Sequence, residues 1–102
     1  MDIGNSNPKM IQYTIQFELH PDKFNEFNSS WDSFYEHTKE TDGLSSCKII
    51  DLGQTTREIE MLWREQYYLN LFMKGEWHNF LQGAISVLGD KSVITQRQLE
   101  SD

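Results

Sequence analysis

The chain has little cysteine, little positive charge and no long apolar run. Cys47 is the one cysteine among 102 residues, so no disulfide can close within the chain. That suits a reducing compartment. Nine basic residues stand against 16 acidic ones, for a net charge of −7. No basic run or stripe exists, so phosphate-backbone binding has no electrostatic footprint and nucleic acid is not an expected partner. An anionic membrane surface is disfavoured for the same reason. The longest apolar runs are a few residues, too short to span a bilayer. Met1 to Lys9 is mostly polar and lacks the apolar stretch of a signal peptide. The expectation is a cytoplasmic protein, with a flexible tail over 1–9 and a single domain over 10–100.

Motifs are missing too. The three histidines are His20, His37 and His78, and no pair has ligand spacing. Cys47 has no ligating neighbour, so no metal site is expected. There is no Gly-x-Ser-x-Gly elbow and no base beside Cys47 in sequence, which leaves nucleophilic catalysis unsupported. No glycine-rich phosphate loop exists, which argues against nucleotide and dinucleotide cofactors. No cofactor is expected.

What is present is periodicity. Ile11, Tyr13, Ile15, Phe17 and Leu19 alternate with Gln12, Thr14, Gln16 and Glu18, a strand with one apolar face. His20-Pro21-Asp22 ends it and starts a helix, with proline suited to the first helical position. Phe24, Phe27, Trp31, Phe34, Tyr35 and Thr38 then recur at helical spacing, an aromatic stripe that Asp42-Gly43 stops. Leu44 to Leu52 and Arg57 to Glu65 read as strands joined by a hairpin turn at 53–56. Ile59, Met61 and Trp63 share one face; Glu58, Glu60, Leu62 and Arg64 share the other. From Gln66 the pattern is helical, with a break expected at Lys74-Gly75, because glycine inside a helix costs about 1 kcal/mol. Lys91 to Leu99 is the last strand, with Val93, Thr95, Arg97 and Leu99 on one face, and Glu100 to Asp102 a short tail.

The order is β-α-β-β-α-β. It predicts an α+β, ferredoxin-like fold: a four-stranded antiparallel sheet with two helices on one face. The other sheet face carries Gln12, Thr14, Gln16 and Glu18, with Glu58, Glu60, Leu62 and Arg64. Such a face is either solvated or stacked on a second copy.

Within that order, the strand through Leu62-Trp63 and the helix Phe72-Met73-Lys74-Gly75-Glu76-Trp77-His78-Asn79-Phe80-Leu81 resemble the antibiotic biosynthesis monooxygenase (ABM) superfamily. The segment Gly83 to Gly89 is similar to the end of that family's helix. The resemblance covers roughly Met10 to Leu99. It implies a dimeric α+β barrel, a homodimer through the polar sheet face, with a pocket between each sheet and its own helices. Members of the family include cofactor-free monooxygenases acting on aromatic polyketides and haem-degrading enzymes. Many carry a histidine near the helix break, where this chain has Lys74. The haem-degrading branch places a tryptophan and a histidine where this chain has Phe72 and Gln82, so no proximal imidazole is expected here.

Candidate residues follow. Tyr13, Phe17, Trp31, Phe34, Tyr35, Trp63, Phe72, Trp77 and Phe80 are expected between sheet and helices. They either fill a core or wall a pocket for a flat apolar or aromatic ligand. His78 beside the break is the candidate general base, unless it is an ordinary boundary histidine. Tyr13 or Tyr35 is the candidate hydrogen-bond donor, and Trp31, Trp63, Phe72 and Trp77 the walls. Arg97 is expected as a charge in that layer, facing a ligand or a glutamate such as Glu65, unless it is structural. The expected function is cofactor-independent oxygenation, or related chemistry, on an aromatic or enolisable substrate. The alternative is a non-catalytic dimer that binds a small molecule or has its pocket filled.

Overall fold

The structure, a computed structural model, describes residues 9–99. The tails expected at the two ends fall on residues 1–8 and 100–102, outside the described residues, except Lys9, which lies before the first strand. Period-two alternation becomes β1 (Met10–Leu19), and its odd-numbered side chains are all buried. Pro21–Lys23 forms one 3-10 turn and leads into α1 (Phe24–Thr38). β2 (Leu44–Asp51) and β3 (Thr56–Trp63) make the hairpin, closed by Leu52 N–H donating to Thr56 O at 2.9 Å. The second helical segment is two helices, α2 (Gln66–Met73) and α3 (Glu76–Leu88), broken at Lys74-Gly75. β4 (Gly89–Leu99) follows directly.

The four strands are antiparallel in the order β2-β3-β1-β4. Ile11, Tyr13, Ile15 and Phe17 meet Ile59, Met61 and Trp63 on one face, and Phe27, Phe34, Leu69, Phe72, Leu81, Ile85 and Leu88 from the helices close over them. Fully burying a large apolar side chain is worth roughly 1.5–3 kcal/mol, so this layer holds the fold together. Among the described residues, no helix is long and apolar enough to cross a membrane.

Gly43 makes the turn from α1 into β2. Its φ of +87° is left-handed, and an added Cβ there would lie 2.1 Å from the Tyr68 ring. The turn is tied down by Arg64 N–H donating to Gly43 O at 2.7 Å.

Three expectations need correction. Tyr35 and Phe80 are exposed, at 38% and 40%, because each sits one position off the buried stripe of its helix. Arg64 lies beyond β3 and places its guanidinium over the Tyr68 ring, 5.4 Å from the centroid, rather than on the outer sheet face. Arg97 lies on the outer face, not in the aromatic layer. It pairs with Gln12 across the ladder and donates to Gln12 Oε1 at 2.7 Å, so Glu65 is not the partner found. Val93, Thr95 and Arg97 do share a face, but β1 fixes that face as the outer one, opposite Gln16, Thr14 and Gln12.

Candidate active site

Tyr13 stands in the middle of β1's buried row, and His78 in the first turn of α3. The break at Gly75 restarts the helix so that His78, Leu81, Ile85 and Leu88 share the buried stripe. Tyr13 Oη and His78 Nε2 are 2.6 Å apart. The imidazole is 6% exposed and also hydrogen-bonds the backbone of Met73 across the break.

These contacts assign the tautomer. The bond to Met73 favours the protonated ring, as expected when a carbonyl accepts from a ring N–H. A neutral imidazole then has one acceptor nitrogen left, Nε2, and the Tyr13 hydroxyl donates to it. Burial lowers the His78 pKa from its usual 6.5, with the Met73 bond opposing, so the ring is neutral at pH 7. Burial also raises the Tyr13 pKa above 10.0 and keeps the phenol protonated. The pair is therefore O–H to N, with both groups uncharged.

Phe72 and Trp63 complete the surroundings. The Phe72 ring lies 5.2 Å from His78 and 5.1 Å from Trp63, centroid to centroid. Trp63 is opposite Ile11, so it is the diagonal neighbour of Tyr13 on the inner sheet face. Among the described residues, Trp63 Nε1 is the one buried side-chain polar atom without a hydrogen-bond partner.

The other candidates lie elsewhere. Trp31 packs on Phe34 and Tyr35 along α1, at 5.5 and 6.1 Å. Trp77 is partly buried against the edge of the core, stacked on His37 of α1 at 4.2 Å and edge-on to Phe80 at 5.0 Å. His37 is exposed, and its Nδ1–H donates to Ser33 O at 2.8 Å. The structure thus brings Tyr13, His78, Trp63 and Phe72 together and leaves Tyr35, Trp31, Trp77 and Arg97 outside. The sequence reading missed the tyrosine–histidine bond. One signal for it existed: the spacing of 78, 81, 85 and 88 puts His78 on one helix face with three apolar residues.

Phe72 has a second side. It lines a groove of about 530 Å³ with Thr41, Asp42, Tyr67, Tyr68 and Leu71. Its ring therefore separates that groove from His78. Tyr13, Phe34 and Trp63 are at most 1% exposed, so the layer behind Phe72 is closed by its own side chains.

Comparison with solved structures decides the fold. A conserved protein from Methanosarcina mazei Go1 superposes with a TM-score of 0.84 at 16% identity, over 96% of this chain and all of that one. A protein from Caulobacter crescentus CB15, described as a putative antibiotic biosynthesis monooxygenase, gives 0.81 at 13% identity, over 96% of each chain. The chain has the ABM-like fold. A variant of SnoaB, a cofactor-independent oxygenase from Streptomyces nogalater, shares it at a TM-score of 0.76 and 11% identity, over 91% of this chain and 95% of that one. No family model and no curated protein matches the sequence.

The residues do not fit the haem chemistry found on this fold. His78, the buried imidazole, has Nε2 engaged by Tyr13 and its ring bonded to Met73. Gln82 is exposed beside Ser86 and Ser92. Among the described residues, no three His, Cys, Asp or Glu side chains are grouped to hold a metal.

Proposed function

We propose that the chain is a small-molecule enzyme of the cofactor-independent oxygenase kind, working on a flat, enolisable substrate. The observation that carries this reading is the buried, uncharged Tyr13–His78 pair. A neutral imidazole next to a phenol is a proton relay. The substrate C–H gives its proton to Tyr13 Oη as the Tyr13 proton passes to His78 Nε2, leaving an imidazolium and a substrate carbanion. The carbanion itself reduces dioxygen, one oxygen atom entering the product and the other leaving as water. The protein's part is to shape the site, move the proton and exclude solvent. The substrate reaches the pair from the α2 groove, by rotation of Phe72.

The closed aromatic layer favours a second reading, a non-catalytic domain whose pocket is filled. Dioxygen uptake with anthrone separates the two, since its methylene is acidified by a ketone and two aryl rings. The first reading expects uptake with one anthraquinone per dioxygen, abolished by His78→Gln. No uptake above the rate in buffer would leave the second.

We also propose that the chain is a cytoplasmic homodimer, paired through the outer sheet face. Lys48, Glu60, Gln12 and Arg97 form a bonded stripe across all four strands of that face, at 3.4, 2.8 and 2.7 Å. Beside it is a shallow hollow of about 330 Å³ lined by Gln12, Thr14, Glu58, Glu60, Thr95 and Arg97. A twofold partner would place complementary charges over one another there.

A further inference from the structure

We propose that the outer face of α3 docks on the same helix of a second copy, run antiparallel about a twofold axis, with Phe80 and Val87 as the projecting side chains. This contact is separate from the sheet-face pairing, because the helices and the outer sheet face lie on opposite sides of the molecule. It is also independent of any reaction at the Tyr13–His78 pair.

α3 carries two apolar stripes. His78, Leu81, Ile85 and Leu88 are buried in the core. Trp77, Phe80, Ala84 and Val87 form a second stripe at the same helical spacing, and there Phe80 is 40% exposed and Val87 71%. One apolar side chain in water is ordinary, but two on one helix face, each beside a hollow, form the kind of patch that marks an interface.

The hollows fit those side chains. Phe80 borders a groove of about 530 Å³ that is lined by Gly83 and Ala84 of α3 and by Glu26 and Ser30 of α1. Nothing lies within 4 Å of a Cβ added to Gly83, so its backbone is open to close approach. A second hollow, of about 300 Å³, lies between Glu76, Trp77 and Phe80, with Trp77 held against His37 by stacking.

The spacing selects the occupant. Phe80 and Val87 are seven residues apart. The two hollows, at Ala84 and at Trp77, are also seven residues apart, in descending order along the chain. An antiparallel copy therefore seats both projections in one register: Phe80 over Gly83 and Ala84 of the second copy, and Val87 over its Trp77. The twofold axis returns the same two contacts the other way, which is the isologous pattern of a symmetric pair. Large side chains meet small ones throughout.

Charge permits a copy at this face. The chain carries −7 and repels itself over most of its surface. Between 76 and 88, however, Glu76 is the one acidic or basic residue. In the antiparallel pair the two Glu76 side chains sit at opposite ends of the contact, about 18 Å apart along the helices and beyond a screening length of about 8 Å. Glu26, at the groove, is paired with Lys23 at 3.7 Å. With no basic side chain, the stripe has no hold on an anionic bilayer, and a single acid offers little to a cationic helix. The contact is small, so it belongs to the weak, concentration-dependent class.

The test follows the protein's mass and its amide spectrum against its own concentration. Sedimentation should show the species present at micromolar protein doubling in mass toward millimolar, and the amide signals of residues 79–87 should be the ones that move. Gly83→Gln fills the groove from the second copy's side but has open space in its own chain, so it should fold as the wild type does and weaken self-association at least about tenfold. Phe80→Ser should weaken it as much by removing the projecting ring. In Arg97→Glu, which removes the sheet-face pairing, the α3 contact should still take one chain to two. A mass that stays constant up to millimolar protein overturns the proposal. So does growth that Gly83→Gln leaves unchanged, or growth that Arg97→Glu alone abolishes. Signals of 79–87 that move only on adding phosphatidylserine vesicles, or only with a lysine–leucine helical peptide, give the face to a membrane or to another protein's helix and equally remove the second copy.

Discussion

Tyr13 and His78 are 65 residues apart in the chain and share a hydrogen bond of 2.6 Å inside the core. The bond links the central strand to the helix that restarts after Gly75. Removing either partner alone leaves the other buried and unsatisfied. Tyr13→Phe and His78→Leu should each destabilise by about 1–3 kcal/mol. The double variant should lose less than the sum, since it leaves no orphan. Urea denaturation of the four proteins measures this, and strict additivity would show that the two side chains are not coupled.

The same pair sets an acid limit. The folded-state pKa of His78 is below 6.5, so between that value and pH 6.5 the unfolded chain binds more protons than the folded one. Stability is therefore full above about pH 6.5 and falls as the pH drops below it. Enzyme activity that needs neutral His78 should persist below pH 6.5, where an exposed histidine would already be charged. The basic side is set by two raised groups. Cys47 goes from 9.0 to about 12 and Tyr13 rises above 10.0, both by burial. Their contribution is present below those ordinary values and is lost as pH rises through the folded ones. Thermal midpoints across pH should form a plateau from about 6.5 to 9, and Cys47→Ala should extend it toward 10. A midpoint that rises on acidification would contradict the assignment.

How much of this was legible depends on whether burial had written on the residues. β1 and α1 were readable because one face of each is packed and the other wet, so the apolar period survives in the sequence. The helix break was readable from Gly75. The direction of β4 was not. Residues 89–98 of that strand, apart from Gly89, are exposed on both faces, so neither Val93-Thr95-Arg97 nor Ile94-Gln96-Gln98 carries a burial mark. A bulge between the partners of Gln16 and Glu18, with Lys91 at φ 56°, further hides the register. The site was half legible. The residues Tyr13 and His78 stood out by type, but their bond joins a strand to a helix through tertiary packing, and no local pattern encodes it.

Gly43→Ala tests the turn that seats α2. A non-glycine residue at φ +87° costs about 1–2 kcal/mol, and the added methyl would press on the Tyr68 ring. Gly53→Ala, where nothing lies within 4 Å of an added Cβ, is the control. The first should lower the thermal midpoint by several degrees and the second hardly at all. Equal midpoints would mean that the loop rearranges freely.

Arg97→Glu tests the outer face. It breaks the bond to Gln12 and adds a third acid near Glu58 and Glu60. Because the side chain is exposed, the folded monomer should change by no more than about 0.5 kcal/mol. A pairing that buries this face should suffer far more, as like charges meet across the twofold axis. Light scattering at micromolar concentration should give two chain masses for the wild type and one for Arg97→Glu. A wild-type mass near 12.1 kDa would remove the dimer.

Phe72 is the side chain shared by the core and the α2 groove. Its ring packs on Trp63, Phe34 and His78 and forms part of the wall of the α2 groove. Truncation to alanine should cost about 3–5 kcal/mol, because a buried ring is lost and the space cannot fully collapse. It should also join the groove to the Tyr13–His78 pair. His78 is shielded in the wild type, whereas His37 and His20 are exposed. Diethylpyrocarbonate, followed by peptide mass analysis, should therefore label His37 and His20 first in the wild type, and His78 as well in Phe72→Ala. Phe72→Leu, which keeps most of the volume, should give intermediate labelling and serves if the alanine variant unfolds. His78 that stays unlabelled in a folded Phe72→Ala would mean that the ring is packing alone, and that a substrate must reach the pair by another path.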